Sequence, residues 1–341
     1  MATCPFCSET VSSVKNSGAM PVLTSCEHCM NPLVLSREGP EVRLVAPEGG
    51  RDIRDVAREG SIGAELITMF PEAIERLPVW PEVAQRALEA ARNPESSTAD
   101  LAAIIQRDQA ITLRVLKVAN SAFYGGLEEI KDLKTACSRL GLKKICGVVL
   151  AIANGPVYRV ENPAFRGTMR VLWRHALASA HCAYEIANML AEPGADTFYV
   201  AGLVHDVGKV LLLGLVADEE AEVAETLRQS PELFAEVLEG YSAFLGFHIV
   251  RRWNLPAEFA IAVYCHAHVE ATPDDQWLSL VHTVALASEV ANVSGFGLED
   301  TDVSLVSHPS NRFLGLSDMK LATLRVDIED ELAPLLSLAP V

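Results

Sequence analysis

The chain has 341 residues, half of them apolar, and a formal net charge of −17. This length suits one large domain with a small one, or two medium domains, and the apolar fraction is enough for a sizeable core. Global disorder is therefore excluded. The acidic charge argues against a nucleic-acid-binding surface, which needs a basic stripe. We expect a folded protein whose partners are neutral or basic.

The sequence also predicts the compartment. Its first residues, MATCPFC, lack the charged and apolar regions of a secretory signal. The longest apolar runs, Ile145–Ala153 and Val210–Ala217, are much shorter than the roughly 20 residues that span a membrane. We therefore expect a cytoplasmic protein without membrane contact. Cysteines are reduced there, so a tight cysteine cluster indicates a metal site before it indicates disulfides.

Residues 1–46 form a region of their own, which holds four of the eight cysteines. Turn residues in this region separate short stretches typical of β-strands, at Val22–Leu23, Leu33–Leu35 and Val42–Val45. Two CxxC motifs with 18 residues between them have the spacing of structural zinc sites. The pattern resembles a zinc ribbon and predicts one closed tetrahedral zinc site, with the ligands Cys4, Cys7, Cys26 and Cys29. The alternative, two unrelated or redox-active CxxC motifs, fits the spacing less well.

So small a module buries little apolar area, and zinc binding would therefore supply its folding free energy. Residues 47–68 follow as a linker with room for a short helix, since they carry the PEGGRD stretch and several charges. The remaining residues, 69–341, have helical periodicity and no convincing strand pattern. The predicted fold class is therefore mainly all-α, with a small N-terminal β module.

Helix signals are clear in several places. Ser97 and Asp100 match a capping box before an apolar stripe, and Asp108 can cap the next helix. Periodicity predicts further helices at about 132–153, 168–191, 197–213, 218–228, 231–252, 256–268 and 277–293. A short basic run in the first of these is interpreted as a solvated helix face, comprising Arg139, Lys143 and Lys144.

A pair of adjacent ionisable residues, His205 and Asp206, lies in the apolar stretch GLVHDVGK. Two such groups are costly to bury unless they are paired or bind a metal. His175 and His266 also share helix faces with apolar residues, in the helices predicted at 168–191 and 256–268. Three histidines and one aspartate could thus converge as metal ligands. The alternative is that each histidine is a hydrogen-bonded core residue, the commoner situation on an apolar face.

A family resemblance extends from Leu77 to about His268. It rests on six blocks in order: LPVWPEVAQRALEAARNP, LAAIIQRDQAITLRVLKVANSAFYG, LKTACSRLGLKKICGVVLAIA, WRHALASA, YVAGLVHDVGKVLL and WNLPAEFAIAVYCH. Over these residues the chain resembles the HDOD domain, the HD-related output domain of bacterial signalling proteins. The resemblance implies an HD-like helical bundle related to HD phosphohydrolases. It also implies a regulatory or protein-interaction role.

The ligand set that the resemblance implies is only partly present. His175, His205 and Asp206 match the first histidine and the signature dyad, and His266 matches the first of a His-His pair. The second member of that pair is Ala267. The retained residues would form a vestigial HD-type site that is either empty or holds a single divalent metal ion.

Two further positions depart from the pattern of HD proteins. Ser242 occupies a position where the family commonly has a histidine. Ser288, next to Glu289, falls where active HD hydrolases carry the aspartate that closes the site. A serine hydroxyl is a much weaker metal ligand than a carboxylate, so a two-metal hydrolytic centre is unsupported.

These observations predict a non-enzymatic cytoplasmic signal-transduction protein with no catalytic residues. Its HDOD domain would bind a protein partner or a small ligand, and its zinc module would add stability or a docking surface. The alternative is a metal-dependent HD-type phosphohydrolase that acts on nucleotides or cyclic dinucleotides through the four retained residues. A third hypothesis, nucleic-acid binding by the zinc module, is opposed by the acidic charge.

Overall fold

The computed structural model describes residues 2–4, 10–11, 22–25, 32–38, 41–45, 62–76, 79–93, 95–121, 124, 129–218, 222–298 and 301–336. The chain divides into two compact units. The first unit comprises Met1–Leu77 and Val204–Ala285, and the second comprises Pro78–Leu203 and Leu286–Val341.

The described residues of the first unit contain five short strands, and all of these pair antiparallel. Two strands form one sheet, β1 (Ala2–Thr3) and β2 (Thr10–Val11). Three form a second sheet in the order of the chain, β3 (Val22–Ser25), β4 (Pro32–Glu38) and β5 (Glu41–Val45). The three stretches predicted to be β-strands lie in β3, β4 and β5, so the local sequence pattern located them correctly.

The described residues contain fifteen α-helices. In chain order they are α1 (Ile62–Arg76), α2 (Glu82–Arg92), α3 (Thr98–Ile105), α4 (Gln109–Ala119), α5 (Leu133–Leu140), α6 (Leu142–Asn154), α7 (Pro163–Met189), α8 (Ala195–Val204), α9 (Val207–Asp218), α10 (Glu222–Gln229), α11 (Pro231–Arg252), α12 (Ala257–Cys265), α13 (Leu278–Ala291), α14 (Pro309–Leu314) and α15 (Asp318–Leu336). The fold is mainly helical, as predicted. Helix α1 begins inside the segment 47–68 that was predicted to be a linker.

Local capping signals were predicted correctly. The Ser97 side chain accepts a hydrogen bond from the Asp100 backbone, and the Asp100 carboxylate accepts one from the Ser97 backbone at 2.9 Å. The Asp108 carboxylate caps α4 by accepting a hydrogen bond from the Ile111 N–H at 3.0 Å. These bonds satisfy backbone donors that have no partner inside the helix.

Two segments that were predicted as single helices each contain a break. The segment 132–153 is divided into α5 and α6 at Gly141, whose φ of +82° is a conformation that side chains disfavour. The segment 197–213 is divided into α8 and α9 by His205 and Asp206, which form a turn. Apolar periodicity continues across both breaks, and a periodicity analysis therefore joins the helices.

Close helix contacts in the first unit depend on two glycines. A Cβ atom at Gly208 would collide with the carbonyl oxygen of Ser242, so α9 and α11 touch through their backbones. A Cβ atom at Gly246 would lie 2.5 Å from a methyl group of Val263, so the Val263 side chain packs directly against the backbone of α11. The first contact fixes the position of the turn that precedes α9.

The second unit is built around the long helix α7. Its buried residues include His175 and three apolar residues at helical spacing from it, Ala178, Cys182 and Ile186. A Cβ atom at Gly202 would lie 2.7 Å from the carbonyl oxygen of Ser179, so α8 lies directly against α7. The predicted inward face of α7 is therefore confirmed.

Two helical runs are long and apolar enough to cross a membrane by length and composition, Ala195–Ala217 and Pro231–Arg252. In the first run, 89% of the most apolar window is buried inside the fold. Core helices satisfy the same criterion, and this run is also interrupted by the turn at His205 and Asp206.

Candidate functional site

The His205–Asp206 pair lies in the turn between α8 and α9, and not within a helix as the sequence suggested. Both side chains are buried, with exposed fractions of 1% and 4%. The carbonyl oxygen of Asp206 accepts a hydrogen bond from the Lys209 N–H at 3.0 Å, which starts α9. The break in the helix thus places an imidazole and a carboxylate side by side, both of them buried.

Three cationic or basic groups of the first unit surround the Asp206 carboxylate. The Lys209 ammonium donates to Oδ2 at 2.8 Å. The Nε2 atom of His205 lies 3.5 Å from the same oxygen, and Nε2 of His266 lies 3.5 Å from Oδ1. The two imidazole rings meet edge to face, with centroids 4.9 Å apart. We call His205, Asp206, Lys209 and His266 the histidine–aspartate cluster.

The tautomer of a neutral His266 ring follows from the contact of its second ring nitrogen. Its Nδ1 atom lies 2.9 Å from the carbonyl oxygen of Val263, which can only accept a hydrogen bond. A neutral His266 therefore carries its proton on Nδ1 and directs the lone pair of Nε2 toward Asp206. Two electron-rich atoms then face each other across 3.5 Å. A cation between them would be stabilised by both.

Three residues of this cluster, His205, Asp206 and His266, are of types that bind divalent metal ions. Imidazole nitrogens and a carboxylate oxygen are common ligands of zinc and of other first-row metals. His205, Asp206 and His266 supply two nitrogens and one carboxylate within one unit. The carboxylate is already held by Lys209 at 2.8 Å, so the negative charge offered to an ion is reduced.

His175 belongs to the second unit, where it is 4% exposed on α7. Its Nε2 atom lies 3.2 Å from Oγ of Ser288 and 3.4 Å from Oγ of Ser179. Ser288 thus lies directly beside the histidine, where the resemblance implies an aspartate in active HD hydrolases. Glu289, the neighbouring candidate, instead accepts hydrogen bonds from Asn292 at 3.2 Å and Thr301 at 3.5 Å.

The structure thus brings three of the four predicted ligands together in one unit. That His175 joins the same ligand set stays a prediction. Sequence reasoning missed Lys209, although a lysine three residues after an aspartate at a helix start is a recognisable signal. His268, close to the retained histidine in sequence, is 60% exposed beside Glu270 at 3.6 Å and is not part of the cluster.

The predicted zinc ligands lie largely outside the described residues. Cys4 is described and buried, whereas Cys7, Cys26 and Cys29 fall outside the described ranges. The zinc site and the zinc-ribbon module therefore stay predictions. The other four cysteines are buried thiols in the helical part of the chain: Cys137, Cys146, Cys182 and Cys265. Burial raises the pKa of Cys137 to about 11 and that of Cys265 to about 12, so their reactive thiolate forms are suppressed.

The family of this chain is shown by a match between its sequence and a family model. The model of the HDOD domain matches residues 77–269, more than half of the chain. This chain belongs to the HDOD family. The match agrees to within one residue with the range over which the sequence resembles that family.

Three solved structures share the fold. An HDOD domain protein of unknown function from Geobacter sulfurreducens is 25% identical, with 80% of this chain and 97% of that chain covered and a TM-score of 0.59. A provisionally described signal transduction protein from Marinobacter aquaeolei VT8 is 19% identical, with 84% and 67% covered and a TM-score of 0.61. A provisionally described metal-dependent phosphohydrolase from Shewanella amazonensis SB2B is 23% identical, with 81% and 96% covered and a TM-score of 0.58. At these identities the last two show the fold alone.

A curated relative comes from Treponema pallidum (strain Nichols), where it is an uncharacterised protein. It is 24% identical over 262 residues, which cover 75% of this chain and 48% of the relative. The chain thus spans about half the length of the curated relative it matches.

Proposed function

We propose that this protein is a non-enzymatic regulatory module of signal transduction, which binds a protein partner or a small ligand through its HDOD domain. The contact between His175 Nε2 and Ser288 Oγ, at 3.2 Å, carries the proposal. It puts a neutral hydroxyl where an active HD hydrolase is expected to have a carboxylate. A hydroxyl contributes no negative charge and binds divalent cations weakly.

The charge of the histidine–aspartate cluster supports the same conclusion. The Asp206 carboxylate and the Lys209 ammonium cancel, and neutral imidazoles add no charge. Metal-assisted hydrolysis requires an ion held firmly enough to lower the pKa of bound water, often with a second ion about 4 Å away. The cluster has ligands for one divalent cation and no spare carboxylate for another. In this proposal the bound ion stabilises the fold and has no hydrolytic role.

Fold alone does not decide between regulation and hydrolysis, because proteins of this fold carry both descriptions. The deciding experiment measures turnover of nucleotides, cyclic dinucleotides and bis(p-nitrophenyl) phosphate by the full chain with manganese, iron(II) or magnesium. We expect no turnover above that of Asp206→Asn. Turnover that is lost in both His205→Ala and Asp206→Asn, and retained in the matched histidine control His268→Ala, would establish the hydrolase instead.

Membership of His175 in the ligand set has its own test. We expect His175→Ala to lower the affinity for a single divalent ion by at least about tenfold, as loss of a group that positions or binds a metal does. Isothermal titration with Mn²⁺ or Zn²⁺ measures this, with His268→Ala as control. Equal affinities in the two variants would show that His175 is only a core residue hydrogen-bonded to the serines.

The N-terminal module is proposed as a structural zinc site of the same cytoplasmic protein. We expect one zinc ion per chain in this module, held by four thiolates. Cys26→Ser should abolish this zinc stoichiometry, whereas Cys137→Ser, which alters a buried cysteine of the helical part, should leave it unchanged. Unchanged zinc content in Cys26→Ser, measured by atomic emission, would contradict the proposed site.

A further inference from the structure

A cavity of about 360 Å³ lies entirely within the second unit. Helices α6, α7, α8 and α15 line it together with Tyr124, which follows α4. Its volume is in the range of pockets that bind small organic molecules. None of its lining residues belongs to the histidine–aspartate cluster or to the predicted metal-ligand set. We call it the tyrosine cavity, after the three aromatic rings that line it, Tyr124, Tyr184 and Tyr199.

Carboxylates outnumber ammonium groups in the walls of this cavity. The acidic side chains are Glu185, Asp196 and Glu331, and the basic ones are Lys143 and Lys144. With neutral His181, which also lines the cavity, the walls carry a net charge of −1. In the described part of the chain, these acids do not form a cluster close enough to hold a metal ion.

One of the two lysines is firmly engaged with the wall. The Lys144 ammonium lies 3.2 Å from the Glu331 carboxylate and 4.9 Å above the centre of the Tyr124 ring. His181 Nδ1 is 3.6 Å from the same carboxylate. An incoming anion would have to compete with Glu331 for this ammonium. The arrangement therefore disfavours phosphates and carboxylates as ligands.

The negative charge of Asp196 is neutralised much less completely than that of Glu331. The nearest ammonium, on Lys143, is 3.8 Å away and 58% exposed, whereas the Asp196 side chain is only 13% exposed. Ion pairs with so exposed a partner are weak. Burial raises the pKa of Asp196, although Lys143 partly opposes the shift. A second cation next to this carboxylate would recover solvation that folding removed.

Tyr199 lies one helical turn after Asp196, on the same face of α8. Its ring rests on the backbone of Gly147, where a Cβ atom would be 3.3 Å from the ring. Its hydroxyl donates to the carbonyl oxygen of Gly147 at 3.3 Å. Gly147 thus leaves space for the Tyr199 ring, and the hydrogen bond holds that ring in place. The ring follows, by one helical turn, the Asp196 carboxylate, whose charge is only weakly neutralised.

We propose that the tyrosine cavity binds a small organic cation, an ammonium or guanidinium group on a compact apolar body. Asp196 would bind the cationic group, and the tyrosine rings would stabilise its charge through their π faces. Leu150, Leu332 and Leu335 would contact the apolar body. This proposal goes beyond the regulatory role proposed above, because it assigns a class of ligand to a particular cavity.

The proposal is tested with three probes of nearly the same shape and different charge: phenethylamine, 2-phenylethanol and phenylacetate. Saturation-transfer NMR and titration calorimetry on the full chain measure their binding. We expect saturable binding of the amine at millimolar concentrations, weaker binding of the alcohol and none of the carboxylate. Phenylacetate binding as tight as that of the amine, or no amine binding at millimolar concentrations, would overturn the proposal.

Two variants locate the binding. Asp196→Asn should weaken amine binding by about tenfold or more, as loss of a charge-assisted contact does. Asn188→Trp, at an exposed position that lines the cavity, should block it without disturbing the core. Arg170→Trp places the same ring on an exposed position of α7 away from the cavity and should bind the amine normally. Amine binding unaffected by both Asp196→Asn and Asn188→Trp would place it elsewhere and refute the site.

Discussion

Two aspartates, one in each unit, are each paired with a lysine, and the two pairs differ in kind. Asp206 is 4% exposed and its lysine, three residues away, is at 2.8 Å. Asp196 is 13% exposed and its lysine, on another helix, is at 3.8 Å and mostly in solvent. In the first pair a buried carboxylate is neutralised by a close lysine whose side chain is 29% exposed. In the second it is left largely uncompensated at the wall of a cavity, and this difference distinguishes a structural ion pair from a candidate recognition group.

The largest expected effect comes from removing the lysines. Lys209→Met should lower the free energy of unfolding by about 3 kcal/mol, because it removes the ammonium 2.8 Å from the buried Asp206 carboxylate. Lys143→Met should cost less than about 1 kcal/mol, since an exposed lysine contributes little to an ion pair. Urea denaturation of both variants measures the difference.

Adding a divalent cation is a second way to compare the two aspartate–lysine pairs. If it binds among His205, Asp206 and His266, it replaces the missing ammonium, and Mn²⁺ or Zn²⁺ should restore part of the stability of Lys209→Met. Lys143→Met should show no such recovery relative to the unsubstituted chain. Equal losses of unfolding free energy in the two variants, with no recovery on adding metal, would show that the two ion pairs do not differ.

A smaller effect is expected from supplying the carboxylate that the HD pattern lacks. Ser288→Asp places one beside His175 and should raise the affinity for a divalent ion by at least about tenfold, the lower end of what groups supporting a metal site contribute. Ser279→Asp, near the start of the same helix, is the matched control. Calorimetric titration with Mn²⁺ compares them, and equal affinities would show that Ser288 does not occupy the position of a ligand.

The smallest effect concerns Asp196. Its folded-state pKa is raised above the ordinary 3.8 because of burial, so the folded protein gains stability as pH falls through the folded pKa toward 3.8 and loses it as pH rises. Asp196→Asn should remove that pH dependence and leave the melting temperature at neutral pH equal or slightly higher. Thermal unfolding as a function of pH measures both. A clearly lower melting temperature at neutral pH would mean that Lys143 compensates the carboxylate fully.

Local signals made most of the fold predictable. The capping box at Ser97, the cap at Asp108 and the three β stretches depend on neighbouring residues, and all lie where they were expected. The breaks at Gly141 and at His205–Asp206 were missed. Apolar periodicity is the same on both sides of each break, so a periodicity analysis does not show where one helix ends and the next begins.

The site was predictable in part for the same reason. The family pattern identified His205, Asp206 and His266, which the fold brings together from distant parts of the chain. Lys209 was overlooked, although its spacing of three residues from Asp206 is a recognisable signal for an ion pair. The tyrosine cavity had no sequence signal at all. Lys143 and Lys144 were correctly interpreted as exposed, but the residues opposite them are up to about 190 positions away.

The contact at Gly208 has a mechanical consequence. Because α9 approaches α11 backbone to backbone at Gly208, no side chain separates the two helices at that point. A rearrangement that displaced α11 would have to carry the start of α9 with it, and with that the Asp206 carboxylate. We therefore expect a conformational change in either of these two helices to displace both of them together.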